Sequence, residues 1–474
     1  MNNNLKIGLF AIGLDTYWEQ FVGLEDRLKG YLQVVENKLK ATHPSVINAG
    51  LVDNTDKAFA AGKLFKTEDV DVIFLYVTTY ALSSTVLPVV QRSNVPVIIL
   101  NLAPEAAIDY VQFNKMTDRT QMTGEWLAYC SACPVPEIAN VFNRCGIKFY
   151  QITGMLYDDP ECWNEVKEWV EAAKVKHIMA YNRLGCMGHY YSGMLDIYTD
   201  LTQQYAYFGG HIELLEVEEL ATLRHQITEG EVKNRLELFF DTFDIQADCP
   251  TEDLESAAKT SVALERLVEK YKLGSMAYYY KGTGNPENEE AIASIILGNS
   301  LLTANGVPVA GEYEIKNAQA MKIMDSFGVG GSFTEYYAMD FKDDVVLMGH
   351  DGPGHIAIAE GKTKVRPLKV YHGKVGKGVS VEMQVKNGAV TLLSVVEKKG
   401  GLMLLVAEGQ SVAGAILEIG NTNSRYKFPI GARQFVNNWN SHGPAHHCAV
   451  GVGHISSKIE KLGALLNMEV VKVC

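Results

Sequence analysis

The sequence predicts an α/β chain, with two doubly wound parallel-sheet domains followed by a mostly antiparallel β C-terminal domain. Three observations carry this. Over the first third, runs nearly continuous in β-branched and aromatic residues alternate with an amphipathic segment, as expected for strands buried on both faces of a parallel sheet. Similar alternation resumes near His177 and continues to about residue 330. From Val345 to Phe428 the pattern is strand after strand, broken by glycine turns. The expected domains are 1–176, 177–330 and 331–474, and 474 residues leave room for them.

The first strands are predicted at Lys6–Ile12, Val70–Val77 and Val95–Leu102. Between the first two, Phe21, Leu24, Leu28, Leu32, Val35 and Leu39 recur at spacings of three and four, one face of a helix. In the second block His177–Tyr181, Ile212–Val217 and Ser275–Tyr280 read as strands. Leu254–Tyr271 reads as a helix capped by Gly274. In the third, Lys386-Asn387-Gly388 and Lys399-Gly400-Gly401 read as hairpin turns. A helix with Ile455, Ile459, Leu462 and Leu466 on one face and a strand at Met468–Val473 close the chain. Parallel blocks followed by a β domain point to a site at their seam.

Hydrophobic residues make up 47% and charged residues 21%, ordinary for a folded globular protein. A net charge of -13 without any dense basic run argues against a nucleic-acid partner. MNNNLKIGLF lacks the basic and apolar segments of a secretory signal. No apolar run reaches the roughly 18 residues of a membrane span. Eight scattered cysteines without an export signal are expected to be reduced thiols in a cytoplasmic protein.

Of twelve histidines, seven lie at or beyond His350: His350, His355, His372, His442, His446, His447 and His454. His446 and His447 are adjacent, in a Gly-Pro loop suited to presenting imidazoles, the commonest neutral metal ligands. Glu312 stands in a small-residue turn, Val309-Ala310-Gly311-Glu312-Tyr313. Glu335 follows a glycine-rich turn and is flanked by aromatics, a costly place for an unpaired carboxylate. His350 ends a strand where the chain turns. Two carboxylates and at least two imidazoles, with no cysteine among them, suit Mn²⁺, Fe²⁺, Co²⁺ or Zn²⁺, with Mn²⁺ first for a site with open positions. Cys130-Ser131-Ala132-Cys133 is a lone C-x-x-C with no second pair for zinc. Gly328-Val329-Gly330-Gly331 does not complete G-x-G-x-x-G, and no Walker lysine motif occurs, so nucleotide cofactors are unsupported.

In this order the motifs resemble the L-arabinose isomerase family, within the L-fucose/L-arabinose isomerase superfamily. Ala310-Gly311-Glu312 matches one metal-site motif. Gly330, Gly331, Ser332, Phe333, Glu335 and Tyr337 match the next, one residue shorter here. Leu347 and His350 follow, then Gly443, Ala445, His446 and His447. The resemblance implies a divalent metal, Mn²⁺ or else Co²⁺ or Fe²⁺, on Glu312, Glu335, His350 and His447, with the two glutamates also catalytic. It implies a homotrimer or homohexamer acting on a small-molecule sugar. Candidate substrate contacts are Asp15, Trp18, Cys130, Cys133, Met187 and His446, with His355 a lesser candidate for a supporting role. The chain departs from the family where Asp15 replaces a Gln, and where Cys130 and Cys133 replace a Gln-x-x-His that touches the sugar. L-arabinose is therefore not implied as substrate.

The implied reaction moves a carbonyl between C1 and C2 of an open-chain aldose through an ene-diol, one Glu acting as general base. Which Glu does so stays open. So do an epimerase or lyase on a related sugar or sugar acid, an inactive metal- or sugar-binding protein, and a glycoside hydrolase using the glutamate pair.

Overall fold

Parallel pairing of buried strands organises the first part of the chain. The computed structural model describes residues 5–371 and 374–474, and the chain divides into two compact units, Met1–His177 and Ile178–Cys474. In the first, β1 (Ile7–Ile12), β2 (Val46–Val52), β3 (Val72–Tyr76), β4 (Val97–Ala103) and β5 (Phe149–Met155) form one sheet in the order β2-β1-β3-β4-β5. All four pairings are parallel. Every residue of β1 and β3 is buried, which is why both runs are apolar without alternation. The predicted amphipathic helix is Leu24–Thr42 and buries Leu24, Leu28, Leu32, Val35 and Leu39. Strand order reverses direction between β1 and β3, so a crevice opens at their carboxyl ends.

His177–Tyr181 is not a strand. It is the last turn of the helix Pro160–Tyr181, and the strand begins later, as β6 (Arg183–Gly188). So short an apolar run has no period of its own to separate helix from strand. In the helix, His177 Nδ1 lies 2.8 Å from Asp71 Oδ1.

In the second unit β6, β7 (His211–Leu215), β9 (Ser275–Tyr279) and β10 (Val309–Ala310) form a parallel sheet in the order β10-β9-β6-β7. The two-residue β8 (Asp244–Ile245) pairs instead with β13 (Lys364–Pro367). The helix Thr251–Tyr271 is capped by Lys272 at φ 53, not by Gly274.

The rest is mostly antiparallel: β11 (Gly330–Asp340), β12 (Val345–His350), β14 (Val370–Tyr371), β15 (Lys374–Val375), β16 (Val379–Glu382), β17 (Gly388–Lys398), β18 (Gly401–Val412), β19 (Thr422–Lys427), β20 (His447–Val452) and β21 (Glu469–Lys472). The largest sheet runs β17-β20-β11-β12-β19-β18-β21, and β17 also pairs with β18. Six of its seven strands thus form a closed ring, which leaves no free edge among them. The Lys399-Gly400 turn joins β17 to β18, as predicted, with Lys398 opposite Gly401. The Asn387-Gly388 turn is not a hairpin, because β16 pairs with β13 and β17 with β18 and β20. Its backbone is drawn elsewhere: Lys386 N donates to Ile358 O at 2.9 Å and Asn387 N to Glu360 Oε2 at 2.8 Å.

The helix Ile315–Ser326 is buried from Ile315 through Met324, lysines included. It packs against β9 and β10 on the parallel side and β11, β17 and β20 on the antiparallel side. Gly331, at φ 138, makes that contact possible, since a Cβ there would stand 2.7 Å from Met321 O. This seam carries the candidate site. No helix of the described residues is long and apolar enough to cross a membrane.

Candidate metal centre

Glu312 lies in the turn leaving the carboxyl end of β10, where open parallel sheets bind ligands. Glu312 and Tyr313 both take left-handed conformations, φ 55 and 62. For side-chain-bearing residues this costs about 1–2 kcal/mol each. Two backbone bonds hold the turn: Tyr313 N to Tyr278 O and Glu314 N to Gly311 O, each 2.9 Å. Strain held in this way is a mark of functional turns.

From the antiparallel side, His350 ends β12 and His447 opens β20. Thr422 Oγ1 pins His350 twice, accepting from its N–H at 3.1 Å and donating to its carbonyl at 3.0 Å. The Phe333 ring lies 4.5 Å from the His350 ring and 4.3 Å from that of His447. His447 Nδ1 lies 2.5 Å from Glu314 Oε2. Glu314 precedes the buried helix as its N-cap but makes no side-chain capping bond, and its carboxyl meets the imidazole.

Glu312, His350 and His447 each offer a ligand atom, and these atoms lie within 4.8 Å of one another. Glu312 Oε2, His350 Nδ1 and His447 Nε2 are buried and have no hydrogen-bond partner. Leaving such groups unsatisfied costs about 1–3 kcal/mol each, and one cation would satisfy all three. The donor set therefore fits a divalent metal. Glu335 stands opposite His447 in the β11–β20 register and falls in a second group, with His446 and His447. Three of the four expected ligands thus converge, and the fourth joins them through His447.

Electrostatics agrees with this division. Burial pushes His350 and His447 down to about 3, so both are neutral at pH 7, as metal ligands must be. Burial pushes Glu314 up to about 8. A cation on His447 Nε2 would draw the shared proton to Nδ1 and leave Glu314 a carboxylate, the usual support for a ligating imidazole. Burial would raise Glu312, but the contacts with His446 and the neighbouring imidazoles outweigh it and hold the carboxyl low. For His446 burial is likewise outweighed, here by Glu312 and Asp196, and its value rises to about 9.

Asp196 and Glu314 were not found from the sequence. Glu314 could have been, as the second acid in Glu312-Tyr313-Glu314. Asp196 sits in a loop turn, Leu195–Ile197, with no local signal. It lines a cleft of about 300 Å³ together with Glu335, Tyr336, Trp439 and His446. A larger cavity, about 790 Å³, is lined by Tyr278, Tyr280 and Lys281 among others and by none of the expected ligands.

The other expected residues are placed differently. Met187 is fully buried in the core of the second unit. His355 is buried with Nδ1 unpartnered and belongs to neither ligand group. His372 lies outside the described residues. Asp15, Trp18, Cys130 and Cys133 belong to the first unit. Asp15 is exposed, and Trp18 donates its indole N–H to Asp53 Oδ2 at 2.9 Å. Cys130 and Cys133 are joined in a disulfide, not reduced as expected. Cys130 ends one helix and Cys133 precedes the next, and the turn brings their Cα atoms to 6.0 Å, within bonding range. The other six cysteines are free.

Residues 330–469 match the family model described as the L-arabinose isomerase C-terminal domain. That stretch of the chain is similar to an arabinose isomerase C-terminal domain. The matched stretch spans Glu335, His350, His446 and His447, with Glu312 upstream of it. No curated protein matches the chain in sequence.

Proposed function

We propose that this chain is a metal-dependent aldose–ketose isomerase acting on an unphosphorylated pentose, hexose or 6-deoxyhexose. One observation carries the reading: the unpartnered donors of Glu312, His350 and His447 converge beside an arabinose isomerase C-terminal domain. Glu312, His350 and His447 would hold the ion, with Glu335 as the fourth ligand, and Mn²⁺ is the first choice, before Co²⁺ and Fe²⁺. When bound, such an ion would supply Lewis-acid polarisation of the sugar's carbonyl.

The chain's own residues supply the rest. The cleft beside Glu335 and His446 has about 300 Å³, at the lower end of small-molecule sites. One of Glu312 and Glu335 takes the C2 proton and returns it to C1, while the other manages the hydroxyl proton. Glu312 is held low by His446 and the neighbouring imidazoles. A cytoplasmic homotrimer or homohexamer completes the proposal.

The test is a sugar panel run in D₂O and followed by product NMR. Conversion of an aldose to its 2-ketose, with deuterium on the carbon receiving the proton, supports the reading. Conversion that persists undiminished in metal-free protein, or an epimer in place of a ketose, contradicts it.

A further inference from the structure

The adjacent histidines of β20 and its approach each face a carboxylate through Nδ1, but not the same one. His447 is buried and meets Glu314. His446 is partly exposed and meets Asp196: its Nδ1 lies 2.5 Å from Asp196 Oδ2, and its backbone N–H donates to the same oxygen at 2.9 Å. The two rings lie 3.8 Å apart, tilted by 40°. With Nδ1 engaged, His446 is left with Nε2, 3.7 Å from Glu312 Oε2. His446, Asp196 and Glu335 all line the same cleft.

Asp196 is itself fixed. The Lys316 ammonium, on the buried helix, donates to the Asp196 carbonyl oxygen. Lys316 is 4% exposed, so little water competes for that bond. The turn that carries Asp196 is thereby tied to the helix that carries Glu314 at its head, and the two carboxylates are set from one scaffold.

We propose that Asp196 is a positioning residue for substrate: through two hydrogen bonds to His446 it fixes the imidazole so that Nε2 meets a sugar hydroxyl beside Glu312. This rests on the isomerase reading for its substrate and on geometry for the orientation. His447 and His446 then divide the work, one imidazole turned to the ion and its neighbour to the sugar. A ring held by a carboxylate on Nδ1 keeps one tautomer and one orientation, and loss of such a support costs about 10–100-fold in comparable sites.

The experiment compares Asp196→Ala and Asp196→Glu with wild type, with Mn²⁺ affinity by calorimetry, kcat and KM on the best sugar, and ¹⁵N NMR of His446. In Asp196→Ala, kcat/KM should fall by about 10–100-fold, with Mn²⁺ affinity within about threefold and Asp196→Glu recovering part of the loss. The His446 Nδ1–H signal should lose its carboxylate-bonded shift. An unchanged kcat/KM, or a Mn²⁺ affinity that falls in parallel, would overturn the proposal, the second by making Asp196 a support of the metal. The NMR arm needs no turnover: if no sugar is converted by wild type, the isomerase reading fails, while an unchanged His446 spectrum in Asp196→Ala sinks the positioning claim alone.

Discussion

The polar groups gathered in the two units of the chain are left in different states. In the first, most of the polar groups singled out there have found protein partners: Trp18 bonds to Asp53, Lys57 also reaches Asp53 at 2.7 Å, and Cys130 is joined to Cys133. Asp53 Oδ1 is still buried without a hydrogen-bond partner. In the second, three buried ligand atoms from three separate segments converge without a hydrogen bond, His447 Nε2 standing 3.4 Å from Glu312 Oε2. The difference places the candidate ligand cluster in the second unit.

The largest effect expected of this contrast is at the ligands. Glu312→Gln or His447→Ala should lower turnover by about a thousandfold or more, because loss of the ion removes its Lewis-acid contribution. Steady-state assays at saturating Mn²⁺ decide it, and a loss under tenfold would place the chemistry elsewhere. Next is the carboxylate behind His447. Glu314→Gln should weaken Mn²⁺ binding by about 10–100-fold while the fold stays intact, which calorimetry and circular dichroism read together.

In the first unit the effect should be smaller and of another kind. Cys130→Ser with Cys133→Ser should alter the ranking of sugars by less than about tenfold, the scale of modest pocket changes, and leave metal content at wild-type level. Metal loss in that variant would erase the distinction between the units.

Smallest is a pH effect on metal-free protein. His446, raised to about 9 by its carboxylates, stabilises the fold fully below its unfolded value near 6.5, and this is lost as pH rises through 9. His350 and His447, lowered to about 3 by burial, act in the other direction, so stability falls as pH drops from 6.5 toward 3. Denaturation midpoints should therefore peak near neutrality. The alkaline limb is worth about 1 kcal/mol after solvent screening of the half-exposed His446. Asp196→Ala should flatten that limb; an identical limb in the variant would remove His446 as its source.

The same contrast runs through what the sequence revealed. Strands β1, β3 and β9 are legible because burial on both faces leaves a continuous apolar run, whereas the strand expected at His177–Tyr181 does not form. Its predicted span is the end of a helix, since His177-Ile178-Met179-Ala180-Tyr181 is too short to show a period. The ring closure of the antiparallel sheet was not legible, because the pairing of β17 with both β18 and β20 is a long-range fact. Nor was the fate of Asn387-Gly388, whose turn is set by Ile358 and Glu360 and not by its own residues. At the site, Glu312, His350 and His447 stood out through motif order and unusual local settings. Asp196 and Glu314 did not, because a carboxylate that orients another side chain carries no mark until the fold brings the two together.

The central claim is that Glu312, His350 and His447 form one cation site. Calorimetric titration of chelator-treated protein with Mn²⁺ tests it most directly, wild type beside Glu312→Gln and His350→Ala. The account predicts about one ion per chain for wild type and at least a hundredfold weaker binding, on the order of the loss of one ligand, in each variant. Absence of saturable binding in wild type, or equal affinity in all three proteins, would contradict it.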